Sequence, residues 1–347
     1  MRKSILITRG IGFGSILVCL VLALGAGAAR SKNIKLDRAA WKVKYHRPAE
    51  IPFPKDDPYA DAKSVLGRML FWDPLLSGSR TRSCVSCHNP ALSWGDGLPR
   101  AVSADGEQLP LRSPTLLNVA WITQLGWTGH FSSLEAVTFG PITGKNMNLP
   151  KKELIKRLSS IHGYEAAFQN AFGEGKITPR KIELALATFQ RSIVSTRAPF
   201  DSWIDGKENA ISEPAKRGFD LFNGKARCAS CHSGWSFTDG SFHDVGSAKG
   251  DDLGRGKLFP TSVKLRYAFK TPTLRDVARR GPYMHDGSVP TLDAVIDLYD
   301  NGGIVRPSRA ENIQPLHLSK GEKADLIAFL TTLTGEPRDV PVPVLPR

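Results

Sequence analysis

The chain is 347 residues long, 41% hydrophobic and 23% charged, and carries a formal net charge of +14. Its length holds two ordinary domains, and its five cysteines, four of them in two C-x-x-C pairs, leave no disulfide framework. In an exported chain the basic balance favours an acidic redox partner or an acidic membrane surface and speaks against nucleic acid, with a merely solvated basic surface as the plain alternative.

Arg2, Lys3 and Arg9 precede an uncharged stretch from Gly10 to Ala29 that ends in Ala26-Gly27-Ala28-Ala29. A charged start, an apolar middle and an A-x-A site predict a signal peptide over residues 1–28 and export to the periplasm. The uncharged run is close to spanning length, so an uncleaved membrane anchor is the alternative. Cys19 follows Val18 rather than a small residue, which speaks against lipoprotein processing and predicts its loss with the signal. That cleavage removes three positive charges and no negative ones, so the mature surface stays basic. Residues 29–56 follow as an N-terminal extension.

Asp57-Pro58 has the cap-then-proline order of a helix start, leading to Val65, Leu66, Met69 and Leu70. Next comes Cys84-Val85-Ser86-Cys87-His88, and further on Cys228-Ala229-Ser230-Cys231-His232. C-x-x-C-H is the attachment motif of c-type haem, with two thioethers to the porphyrin and the histidine as proximal iron ligand. Two C-x-x-C pairs can also build a zinc cage, but zinc chemistry does not demand a histidine directly after both pairs. The chain therefore reads as a di-haem protein, with metal ligands His88 and His232. Between the motifs Thr178-Pro179 opens a helix with Ile182, Leu186, Phe189 and Ile193 on one face. Near the end, Ser319-Lys320-Gly321-Glu322 forms a capping box before Leu326, Leu330 and Leu333, and Gly335 then Pro337 stop that helix.

No segment alternates as a strand, and the glycine- and proline-rich stretches 96–114 and 233–260 read as loops that wrap a haem edge. The stretch Arg112-Ser113-Pro114-Thr115-Leu116-Leu117-Asn118-Val119-Ala120 recurs as Lys270-Thr271-Pro272-Thr273-Leu274-Arg275-Asp276-Val277-Ala278. Leu134-Glu135-Ala136-Val137 recurs as Leu292-Asp293-Ala294-Val295 at the same offset of 158. Such self-similarity marks a duplicated unit. The expected fold is all-α, with two cytochrome c-like haem domains related by duplication, at residues 57–200 and 201–347.

Together these residues resemble the bacterial di-haem cytochrome c peroxidase family. The resemblance is carried by Leu66-Gly67, Leu70-Phe71, Asp73-Pro74 and Leu76-Ser77 before the first haem motif, and by Phe237-Thr238-Asp239 and Phe242-His243 after the second. Gly281-Pro282-Tyr283-Met284-His285-Asp286-Gly287, Gly140-Pro141 and Leu333-Thr334-Gly335 complete it. It covers nearly all of the mature chain. Membership implies two haems facing a shared interface, one reacting with hydrogen peroxide and the other storing or relaying electrons.

The sixth ligand of each iron then decides the chemistry. Family peroxidases place a methionine fourteen residues after the histidine of the P-Y-x-H-x-G motif, and counting from His285 this chain has Tyr299 there. Tyrosinate is a hard anionic donor that favours high oxidation states, whereas a thioether favours ferrous iron. A tyrosine here is similar to the MauG type within the family; a core Tyr299 with Met284 as ligand is the alternative. The offset of 158 maps Tyr299 onto Pro141, which has no donor, and no histidine lies between Asn89 and Ser113 where resting peroxidases of the family supply one. The resemblance thus implies an open, five-coordinate first iron.

Two departures matter. The family's distal glutamate, a proton shuttle, falls in a segment that reads Ile142-Thr143-Gly144-Lys145-Asn146-Met147-Asn148, with Asn146 as the nearest counterpart and Glu135 as a minor candidate expected to be a solvated helix residue. Arg112 stands where the family has an asparagine that helps bind an inter-haem calcium. A guanidinium repels calcium and can supply the positive charge instead. Trp127 matches the family's inter-haem tryptophan, which implies a path for an electron hole, and His285 is expected to order the second haem's surroundings. His46, His130, His162, His243 and His317 are expected to be satisfied or solvent-exposed.

The resulting expectation is a periplasmic di-haem oxidoreductase of the MauG type. It uses peroxide at the first haem, shares oxidising equivalents with the second through Trp127, and oxidises a small electron-transfer protein or protein substrate. The alternatives are a cytochrome c peroxidase fed by a small redox protein, and a non-catalytic di-haem electron carrier or sensor.

Overall fold

A computed structural model describes residues 38–347. The signal-peptide reading and Cys19 lie outside the described residues. The helices in chain order are α1 (Arg38–Tyr45), α2 (Asp61–Trp72), α3 (Leu134–Val137), α4 (Phe139–Thr143), α5 (Lys151–Ser159) and α6 (His162–Phe172). After these come α7 (Pro179–Arg191), α8 (Pro199–Ile204), α9 (Glu213–Asn223), α10 (Leu292–Asp300) and α11 (Lys320–Thr331). Short 3-10 turns and long loops join them, and the strands among the described residues are β1 (Phe242–His243) and β2 (Phe269–Lys270), paired antiparallel. No helix among the described residues is long and apolar enough to cross a membrane.

The predicted caps at Thr178 and Ser319 are present: the Thr178 hydroxyl accepts from Lys181 N at 3.3 Å, and Ser319 and Glu322 cap each other's backbone N–H. Asp57-Pro58 does not start α2. The Asp57 carboxylate is taken by the Lys63 ammonium in a buried ion pair, and the helix begins three residues beyond Pro58, after an uncapped Ala60. A lysine charge one turn inside α2 outcompetes the backbone donors for that carboxylate.

Two hydrophobic cores result. In the first, Leu66, Leu70 and Phe71 of α2 meet Ile182, Ala185, Leu186 and Phe189 of α7. In the second, Phe219 and Phe222 of α9 meet Leu326, Phe329 and Leu330 of α11, around Tyr45, Phe200, Trp203 and Phe237. Each core depends on a close helix crossing made at a glycine. A Cβ on Gly67 would lie 1.9 Å from Ala185 O, and a Cβ on Gly218 would lie 1.9 Å from Asp325 O. Many rings of the second core pack edge-on, as in Phe222 on Phe329 at 5.0 Å and Phe219 on Phe329 at 5.4 Å between centroids, while Tyr45 stacks on Phe237. Such pairs add about 0.5–1.5 kcal/mol each beyond burial.

The repeated segments take the same local form. Asn118 and Asp276 are both left-handed (φ 62° and 57°), and each precedes a 3-10 turn, Val119–Trp121 and Val277–Arg279. Thr115 Oγ1 donates to Ser93 O at 2.6 Å and Thr273 Oγ1 donates to Ser236 O at 2.6 Å. The bridge Leu125↔Phe131 has its counterpart in Tyr283↔Val289, at the same offset of 158. Side chains that cap through Ser133 and Thr291 open α3 and α10.

Both ends of the described chain cross to the distant core. Trp41 and Tyr45 of α1 pack into the second core, whereas Val340 and Leu345 of the C-terminal tail pack on the first. Between the cores lies a buried polar seam. Asp201 takes Arg275 at 2.8 Å and Arg47 at 3.3 Å, and Asn118 Oδ1 accepts from Ser195 N at 3.0 Å. Removal of Arg275 from water holds its guanidinium down at about 10 despite Asp201.

Candidate haem and redox sites

In each haem motif a 3-10 turn spans the first cysteine to the serine, at Cys84–Ser86 and Cys228–Ser230, and the histidine N–H donates back to the first cysteine's carbonyl. His88 Nδ1 lies 3.2 Å from Trp94 O, and His232 Nδ1 lies 2.9 Å from Phe237 O. A carbonyl can only accept, so Nδ1 carries the proton in both rings and Nε2 keeps a lone pair free to ligate a metal. Burial also holds both histidines below their ordinary pKa, favouring the neutral, ligating form. The zinc alternative fails on geometry: among the described residues the one cluster of metal-ligating groups, Cys231, Asp239 and His243, contains a single cysteine. The cysteine pairs do not converge.

A mostly apolar cavity opens beside the second motif. Cys228, Cys231 and His232 line it, as do Leu274, Val277, Ile296, Leu326 and Leu330. Tyr299 and Met284 line the same cavity. No hydrogen bond reaches the Tyr299 hydroxyl from a described residue, and burial raises its pKa. Met284 sits beside buried His285 in a left-handed conformation (φ 69°).

Cations face this cavity from both halves: Arg112, Lys270 and Arg280. Burial holds Arg280 down at about 10 and Lys270 at about 8. Arg280 Nε is buried without a hydrogen-bond partner. An apolar slot with a neutral histidine, two cysteines and cations at its wall fits a c-type haem, whose porphyrin is apolar and whose propionates are anionic. Arg280 and Lys270 escape a reading of the sequence because only burial distinguishes them from surface cations; the available signal is that Lys270 opens the second repeated segment and Arg280 stands just before Gly281-Pro282.

Trp127 lines this cavity from the first half. Its Nε1–H donates to Arg112 O at 2.9 Å, its carbonyl accepts from Lys270 N at 2.8 Å, and its ring meets His285 edge-on at 6.5 Å. Arg112 N in turn donates to His285 O at 2.9 Å. His285 is stacked on Phe269 at 3.6 Å and hydrogen-bonded to Asp252 at 2.7 Å. Arg112, Trp127, His285, Met284 and Tyr299 are thus brought together, while Pro141 and half-buried Asn146 lie apart, at α4 and the turn after it.

Glu135 is not the solvated residue expected. It is 8% exposed and pairs with Arg191 of α7 at 2.7 Å. Burial pushes its carboxyl up, but the Arg191 contact more than offsets this and leaves its pKa below the usual value. Its repeat partner Asp293 is exposed, so the repeat misled because only the first half places a cation opposite that position. His243 is hydrogen-bonded to Asp239 at 2.8 Å, which pushes its ring up to about 10.

A helical chain with two haem-attachment turns, each with an oriented neutral histidine, is a di-haem c-type cytochrome. The family model for di-haem cytochrome c peroxidase matches residues 61–209, and that for cytochrome c matches residues 215–334. The chain is 50% identical over 325 residues to the methylamine utilization protein MauG of Methylorubrum extorquens, covering 93% of this chain and 92% of that protein. It is 45% identical over 310 residues to MauG of Methylophilus methylotrophus, covering 88% and 92%. A solved structure of a MauG-like protein associated with microbial copper homeostasis superposes with a TM-score of 0.78 at 30% identity, over 84% of this chain and 95% of that one. The chain belongs to the di-haem cytochrome c peroxidase and MauG family. It is a di-haem oxidoreductase of the MauG type that acts with peroxide.

Proposed function

We propose that the two haem sites are unequal. The site at His88 takes peroxide, the site at His232 is closed by Tyr299, and Trp127 passes oxidising equivalents between them to the detriment of a protein donor. The haems, when bound, supply the iron chemistry that accepts oxidising equivalents from peroxide. The residues of the chain prepare that chemistry. Trp94 and Phe237 carbonyls fix the proximal rings, and Arg112, Lys270 and Arg280 balance propionate charge. Trp127 is held by two backbone hydrogen bonds at the wall of the second site, which fixes its ring for electron transfer. Asn146 can hydrogen-bond peroxide but cannot move a proton. The reading extends to export into the periplasm, and to haem domains 57–200 and 201–347 that descend from one duplicated unit, which the paired turns and bridges at a constant offset support.

The observation that carries the proposal is the Tyr299 phenol, without a partner among the described residues, in the cavity of His232. Electron paramagnetic resonance of the ferric holoprotein tests it. One high-spin and one low-spin haem are expected, and two low-spin six-coordinate haems overturn it. Tyr299→Phe should change the low-spin signal while Met284→Leu leaves it; the reverse result makes Met284 the ligand.

A further inference from the structure

The segment from Gly254 to Ala268 leaves the body of the molecule and returns to it. Its base is closed by a parallel bridge between those two residues, by Arg255 N donating to Ala268 O at 2.9 Å, and by Tyr267 N donating to Leu253 O at 2.8 Å. Arg306 lies over the Tyr267 ring at 3.8 Å and clamps the same base. Gly254, left-handed at φ 55°, and Gly256 let the two strands of the base approach, since a Cβ on either would come within 2.8 Å of the facing backbone.

This clamped loop presents apolar side chains to solvent. Leu258 is 39% exposed, Phe259 44% and Val263 55%. Three exposed cations surround them, Lys257, Lys264 and Arg266, and no Asp or Glu occurs between Leu253 and Arg275. Three exposed apolar side chains on one clamped loop with a one-sign rim match the anatomy of an interface: apolar centre, polar rim. The loop is also attached to the redox residue. Arg255 donates from Nη1 to Thr128 O at 2.6 Å and packs over Phe242 at 4.0 Å, and Thr128 directly follows Trp127.

We propose that the 254–268 loop is the docking surface for the protein electron donor, a small acidic redox protein whose own apolar patch is ringed by carboxylates. The inference rests on the proposed function and gives its donor a place and a chemistry. The rim cations steer the encounter and Leu258, Phe259 and Val263 hold it, with the donor's redox centre seated next to the segment that carries Trp127. A membrane is the poorer occupant, because three part-exposed side chains on a closed loop offer little to insert, and because a lipid surface has no use for the Trp127 attachment.

The test uses the holoprotein, hydrogen peroxide and reduced plastocyanin, a small acidic blue-copper protein, with oxidation followed by stopped flow at several ionic strengths. The Lys257→Glu/Lys264→Glu variant should lower the second-order rate by about tenfold at low salt and flatten its salt dependence. Phe259→Ser should lower it by about threefold to tenfold with the salt slope retained. Oxidation of hydroquinone, a small neutral donor, should be unchanged in both. The control Lys152→Glu/Lys176→Glu makes an equal charge change elsewhere and should stay within about twofold of the parent. If the loop variants behave like that control, the proposal is overturned; it is overturned equally if they lose sedimentation with phosphatidylglycerol vesicles while plastocyanin rates are unmoved. If peroxide leaves the haem spectrum unaltered, the functional reading fails instead. Salt-dependent binding of oxidised plastocyanin, titrated by NMR, then decides the docking surface alone: binding that the loop variants weaken supports it, and binding they leave intact overturns it.

Discussion

Trp127 and Tyr299 line one cavity but differ from each other in where their polar ends go. The Trp127 indole N–H is spent on Arg112 O, so its ring is fixed, while the Tyr299 hydroxyl has no such bond and faces the cavity. Trp127→Phe keeps an aromatic ring but replaces the indole and loses its one hydrogen bond, worth about 1 kcal/mol. The expected outcome is a melting temperature within a few degrees of the parent and, in stopped flow, at least about a tenfold slower oxidation of a protein donor. Glu135 is a stability residue. Because its folded pKa is depressed by Arg191, the pair contributes fully above the ordinary glutamate value and is lost as pH falls through the folded value. Glu135→Gln should cost about 3 kcal/mol at pH 7, since it leaves Arg191 buried without its counter-charge. In denaturant melts it should also remove part of the loss of stability below about pH 4.5.

At the scale of elements, α2 on α7 and α9 on α11 are the crossings that hold each core, and both are made possible by a missing side chain. Gly67→Ala and Gly218→Ala each put a methyl into a facing carbonyl, so the helices must separate. Overpacking of this kind costs about 1–3 kcal/mol, and each variant should show it in chemical denaturation. The helix starts at Thr178 and Ser319 were legible because a cap and its partners lie within four residues. The start at Asp57 was not, because Lys63 competes for the carboxylate and only the folded chain decides which donor wins.

Across the whole molecule the two ends of the described chain each serve the other half's core. Ending the chain after Glu336 removes Val340 and Leu345 from the first core and the Arg68 hydrogen bond to Pro341 O. Differential scanning calorimetry of that variant should show the first core melting earlier, by an amount set by two part-buried side chains at about 1–2 kcal/mol each. Two c-type haems, the helical class and the family were legible in the chain alone, because covalent attachment needs fixed residues at fixed spacing and caps act locally. The tertiary structure alone decided that Glu135 is buried against Arg191, that Arg280 and Lys270 face the haem cavity, and that Tyr299 and Met284 share it. It also set which core each terminal arm joins and raised the 254–268 loop beside Trp127. These are matters of burial and of partners far apart in the chain, and burial, which sets the cost of an unpaired charge, exists only once the chain has folded.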